Sequence, residues 1–311
     1  MAEAVRENLA LWGLPVLPEL PARGPGAAMV GRTLGALPEL GFEHGPFGWL
    51  ASDSGGVDQR RAAATLRDDL DILAEAADGY AGPLAVSLAG PWTLMATVDL
   101  ARGGRMLGDH GARRDLVAAV AEALPALGAA VRSRVPGAEP VLKIDEPALG
   151  AVLGGQVPTE SGLHRHRSVP ADEVQAGLRQ LVAAAGGELV VHSCAPAPVR
   201  LLVTSGLRTL ALDASVVRRD DLDVLAEHVD GGGALWLGVV PTHQGPVVPS
   251  VREVVAATDR FLRPLELGRR LLGHLWLTPG CGLAGFSREA ATGVARVLRD
   301  AAGEVTEALS A

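Results

Sequence analysis

Apolar residues in this chain gather in short, nearly unbroken runs, and between them lie longer stretches with the three-to-four spacing of an amphipathic helix. Seven runs stand out: FGWLAS (47–52), PLAVSLAG (83–90), PVLKIDEP (140–147), ELVVHSCA (188–195), TLALDAS (209–215), ALWLGVV (234–240) and HLWLTPGC (274–281). Each predicts a strand, and their near-continuous hydrophobicity suits strands covered on both faces, as in a parallel sheet. Helical spacing predicts helices over 58–78, 112–132, 171–185, 250–263 and 287–309. Ser250 and Glu253 frame a capping box at one helix start, and Ser287 is placed to cap another. Strands alternating with helices predict parallel βα units.

No linker, repeat or composition break divides the chain, so residues 1–311 are expected to form one catalytic domain of (β/α)8 TIM-barrel architecture. A closed barrel needs eight strands, and the chain opens on the helical stretch MAEAVRENLALWG instead. The expectation is that the first barrel strand is missing, the chain as given starting downstream of its true beginning. One connection is long: 148–170 follows the strand bearing Asp145 and Glu146, and is expected to form a lid or binding element on the C-terminal face.

Composition narrows the partners. Hydrophobic residues make up 48% and charged ones 21%, and no run approaches the roughly 18 apolar residues of a membrane span. The N-terminus lacks the design of an export signal, so a cytoplasmic location without membrane contact is expected. A formal net charge of −8 with scattered basic pairs argues against nucleic acid as partner. Lys143 is the single lysine.

Candidate chemistry sits at strand ends. His192 and Cys194 are two apart, so both side chains point to one side of their strand. The second of the chain's two cysteines, Cys281, follows the last predicted strand, and Asp213 ends another. An imidazole, two thiols and a carboxylate form a set that zinc accepts tetrahedrally. The spacing by itself leaves a second reading open, in which both cysteines and His192 are ordinary core residues.

VHSCAP (191–196), LTPGCGLAG (277–285) and LKIDEPALG (142–150) resemble the zinc and substrate motifs of the cobalamin-independent methionine synthase family. MVGRTLGALPELGFEHGPFGWLAS (29–52), SLAGPWTL (87–94) and GVVPTHQGPVVPS (238–250) resemble further family segments in the same order. The resemblance covers nearly the whole chain, against the C-terminal catalytic half of that enzyme. It implies Zn2+ held by His192, Cys194 and Cys281, with Asp213 in the place of the family's glutamate ligand. It implies Asp145, with Glu146 beside it, for the amino group of homocysteine, and His243 as the histidine that assists methyl transfer. The implied partners are a small-molecule thiol and a methyl donor, a methyltetrahydrofolate or a methylcorrinoid, with a corrinoid protein or a second copy of the chain as macromolecular partners.

Two departures bear on that picture. The family's strand with a Gly-Ser-Pro-like turn has no counterpart before Gly13, and PARGPGAA (21–28) has no acid where the family places its second amino-group carboxylate. Glu19 lies nearby but out of register. Competing expectations are a uroporphyrinogen decarboxylase-like enzyme, whose superfamily SLAGPWT also suits, and a zinc- or thiol-binding barrel without turnover.

Overall fold

Strand–helix alternation of the expected kind is present in the structure, a computed structural model that describes residues 1–311 apart from Pro38 and Gln244. Those two fall inside quoted segments and lie outside the described residues. The chain has an α/β fold and divides into two compact units, Met1–Leu9 with Leu14–Leu189, and Ala10–Gly13 with Val190–Ala311.

In the first unit, β3 (Gly82–Ala89) and β4 (Ala138–Asp145) pair in parallel, with Ser87 opposite Lys143 and Ala89 opposite Asp145. Leu84, Val86 and Leu88, with Leu142 and Ile144, point to the other face and are buried. The unit's helices are α1 (Ala2–Leu11) as far as Leu9, α2 (Met29–Gly35), α3 (Val57–Ala76), α4 (Pro91–Thr97), α5 (His110–Arg134), α6 (Leu149–Leu153) and α7 (Ala171–Ala185). Along α5 a buried stripe of Leu116, Val120, Leu124 and Val131 faces β4 and α7. Each such residue contributes roughly 1.5–3 kcal/mol by leaving water. This helix is long and apolar enough to cross a membrane, and half of its most apolar window is buried inside the fold.

One predicted strand is corrected here. Residues 47–52 do not form a parallel barrel strand: β2 (Gly48–Ser52) pairs antiparallel with β1 (Gly41–Gly45) across a two-residue turn. Gly48 takes φ 130° there, a conformation that glycine alone adopts without strain. The place beside β3 is also occupied. Pro15 O accepts from Ala85 N at 2.8 Å and Leu17 N donates to Ala85 O at 2.9 Å, making a short parallel bridge. Pro15 needs no donor in that pattern, so a strand position survives in a segment whose prolines disguise it.

The long connection 148–170 is built into the unit rather than hanging free. Besides α6 it contains an antiparallel bridge, Pro158 with Arg165, and it buries Leu149, Val152, Val157 and Val169.

The second unit carries β5 (Leu189–Ser193) from Val190 onward, β6 (Thr209–Asp213), β7 (Ala234–Val240) and β8 (Leu275–Pro279), parallel and in sequence order. Its helices are α8 (Val199–Thr204), α9 (Leu222–Asp230), α10 (Val251–Leu262) and α11 (Arg288–Ser310). All five residues of β6 are buried, which explains its unbroken apolar reading. The capping box at Ser250 and Glu253 forms with both halves present, and Ser287 accepts from Ala290 N at 3.2 Å.

Candidate metal centre and a buried charge cluster

In the second unit, Val190 and Val191 sink fully into the core and bring β5 to its end at His192 and Ser193, with Cys194 one step beyond. Ser193 steadies this turn by accepting from Ala195 N and donating to Ala195 O. Cys281 arrives from β8 through a tight corner. The β7–β8 register shifts between Gly238 and Val240, and Gly280 N then donates to Val240 O at 2.9 Å.

The outcome is convergence. His192, Cys194 and Cys281 each offer one donor atom, all within 4.8 Å of one another, and the two sulfurs are 3.1 Å apart in a hydrogen bond. The two cysteines are not joined in a disulfide, their sulfurs standing well beyond the roughly 2.05 Å of that bond. The hydrogen bond with Cys194, and then His192, holds the Cys281 thiol well below its ordinary range. Tetrahedral zinc with Zn–S near 2.3 Å needs its sulfurs about 3.8 Å apart. Two thiols at 3.1 Å beside an imidazole meet that requirement with shifts of under about 1 Å, so the residues fit the ion.

Asp213 is not in this group of three. It is buried at the end of β6, and its Oδ1 accepts from Ser215 N at 2.8 Å and Ser215 Oγ at 2.7 Å. His243 lies exposed in the connection after β7 and is also outside the group.

The first unit holds a different constellation. Asp145, 8% exposed at the end of β4, is ion-paired with Lys143 two residues earlier on the same face. Glu19, just past the bridge to β3, lies 3.5 Å from Ser87 Oγ. Burial raises the pKa of Glu19, and the Arg32 guanidinium opposes that shift. Arg32 is itself buried, donates to Pro18 O at 2.9 Å, and has its pKa lowered by desolvation. Burial thus disfavours both charges while their mutual attraction favours both.

Glu146 departs from the expected contact with substrate. It is fully buried and accepts from Trp92 N at 3.0 Å, Thr93 N at 2.8 Å and Thr93 Oγ1 at 2.7 Å, which closes the N-terminus of α4. Burial pushes its pKa up to about 8, against the three donors, which favour the charged form. A Cβ at Gly90 would come within 2.1 Å of its Oε1, so the glycine is needed for this seat. Asp145 and Glu146 adjoin in sequence, but adjacent residues at a strand end face opposite ways. Ser215, Gly238 and Gly280 stand around Asp213 and carry only faint marks in the sequence. The signals were there: a serine two residues after an aspartate, and a glycine directly before the second cysteine.

Against known proteins, residues 87–304 match the model of the family described as cobalamin-independent synthase, catalytic domain. No curated protein matches the chain. Among solved structures the chain is similar to a Xaa-Pro dipeptidase with methionine bound in its active site, at 16% identity over 88% of this chain and 75% of that one, TM-score 0.28. It is also similar to an amidohydrolase, at 16% identity over 81% of this chain and 68% of that one, TM-score 0.29.

Proposed function

The chain belongs to the cobalamin-independent synthase catalytic-domain family, and from that premise we propose that it is a zinc-dependent methyltransferase acting on a thiol, with homocysteine giving methionine as the favoured reaction. One observation carries the reading: an imidazole and two thiols, 87 residues apart between the sulfurs, meet within 4.8 Å in the second unit. Such a donor set selects a soft, tetrahedral cation.

When bound, zinc supplies a positive charge that keeps a coordinated acceptor thiol deprotonated at neutral pH. The chain's own residues do the rest. Cys194 and Cys281 contribute anionic sulfur, and His192 contributes a neutral ring nitrogen. Asp145 is the proposed anchor for the acceptor's ammonium group. His243 is the proposed proton carrier for the departing amine when the donor is a methyltetrahydrofolate, a role an imidazole can fill because its ring nitrogens both accept and donate a proton. A methylcorrinoid, free or on a protein, is the alternative donor and needs no such proton. A closed TIM barrel and a cytoplasmic setting belong to the same proposal, as does association with a corrinoid protein or a second copy.

Metal analysis of the purified chain, followed by assays of homocysteine with each donor, tests this. The expected result is one zinc per chain and methionine formed from at least one donor. Stoichiometric zinc without any methylated thiol would leave the binding barrel without turnover, and no zinc would remove the reading altogether.

A further inference from the structure

Asp213 has the position of a metal ligand and the contacts of a brace. Its Oδ1 is occupied by Ser215, through the backbone N and the hydroxyl. Its Oδ2 faces the backbone of Gly280, where a Cβ would lie 2.7 Å from that oxygen and 2.9 Å from Cγ. Gly238, the register partner of Asp213 on β7, stands close by: a Cβ there would come within 2.6 Å of Gly280 Cα and 3.1 Å of Asp213 Cα. Ala214 N donates to Gly238 O at 2.9 Å, which locks the end of β6 onto β7. Asp213, Gly238 and Gly280 are therefore stacked without any intervening side chain, and Cys281 is the next residue along.

We infer that Asp213 is a positioning residue for Cys281: braced by Ser215, it fixes the Gly280–Cys281 corner, so that the metal takes three protein donors and keeps its fourth position for the acceptor thiol. Three protein ligands with one open position is the arrangement of catalytic zinc sites, and residues that orient ligands from outside typically change metal affinity 10–100-fold. The inference rests on the proposed function for its metal, though the brace itself is present without one.

Two readouts separate brace from ligand. In metal-free protein, oxidation by diamide to a Cys194–Cys281 disulfide measures how well the corner holds the sulfurs together. We expect Asp213→Ala and Ser215→Ala to slow that linkage about 10-fold or more, because displacing one of two reacting atoms by about 1 Å lowers the rate by up to about 100-fold. Asp213→Asn, which keeps an oxygen for Ser215, is expected to stay within about three-fold. In Co(II)-loaded protein, Asp213→Asn should retain the wild-type visible spectrum and stoichiometric metal, whereas Cys281→Ser should lose both. The inference is overturned when Asp213→Ala links at the wild-type rate, or when Asp213→Asn changes the Co(II) spectrum as Cys281→Ser does. A wild-type chain that binds no metal yet shows slowed linkage in Asp213→Ala keeps the brace and removes the proposed function.

Discussion

The two charged regions of this molecule are built on opposite principles. In the first unit, acids are compensated from within: Asp145 by Lys143, Glu19 by Arg32 nearby, and Glu146 by three donors at the start of α4. In the second unit, three donor groups are aimed at one another, two of them thiols that pack as small hydrophobes elsewhere in proteins. An acid such as Glu146, with three donors from its own fold, reads as architecture, while Asp145 keeps the proposed role toward an ammonium group beside its pairing with Lys143. Donors that converge without a built-in cation read as a place for one, and this contrast separates a candidate metal centre from a polar core.

Substitutions sharpen that contrast. Cys281→Ser should cost the most: loss of stoichiometric zinc, and a fall in methyl transfer of at least about 100-fold, checked by metal analysis and initial rates. It should leave the first unit intact. Glu146→Ala strands the three α4 donors in the core and should destabilise the protein by about 3 kcal/mol in denaturant unfolding. Zinc content should stay unchanged, which would confirm that Glu146 serves the fold. Lys143→Met leaves Asp145 without its cation and should cost about 2 kcal/mol by the same measurement.

The pH dependence follows from Glu146. Its folded-state pKa of about 8 lies above the ordinary 4.5, so its contribution to stability is full below about pH 4.5 and is withdrawn as pH rises through 8. Melting temperature should fall across that window, and Glu146→Gln should flatten the profile there. The surface pair Arg263 with Asp259 gives the smallest effect: its loss should change stability by under about 0.5 kcal/mol.

Much of this was legible in the chain, and the exceptions have physical causes. Six apolar runs became parallel strands; β6 and β7 are buried on both faces, which leaves a plain mark on composition, whereas β8 keeps Trp276 41% exposed. The seventh, 47–52, reads the same way because Trp49 is buried, although Gly45 and Gly48 turn it into a hairpin. The bridge at 15–17 escaped because prolines at 15 and 18 suppress a strand signal, while parallel pairing uses only Pro15 O and Leu17 N there. His192, Cys194 and Cys281 could be picked out since strand ends gather side chains far apart in sequence. Strand-end position and the family resemblance both mark Asp213 as a ligand candidate, whereas its contact with the corner before Cys281 depends on the absent side chain of Gly280, which no residue type announces.

X-ray absorption at the zinc edge of the purified, metal-loaded chain tests the central claim most directly. The account predicts one zinc per chain, with two sulfur neighbours near 2.3 Å and one imidazole nitrogen near 2.0–2.1 Å. A shell of oxygen and nitrogen alone, or a chain that takes up no zinc, would contradict it.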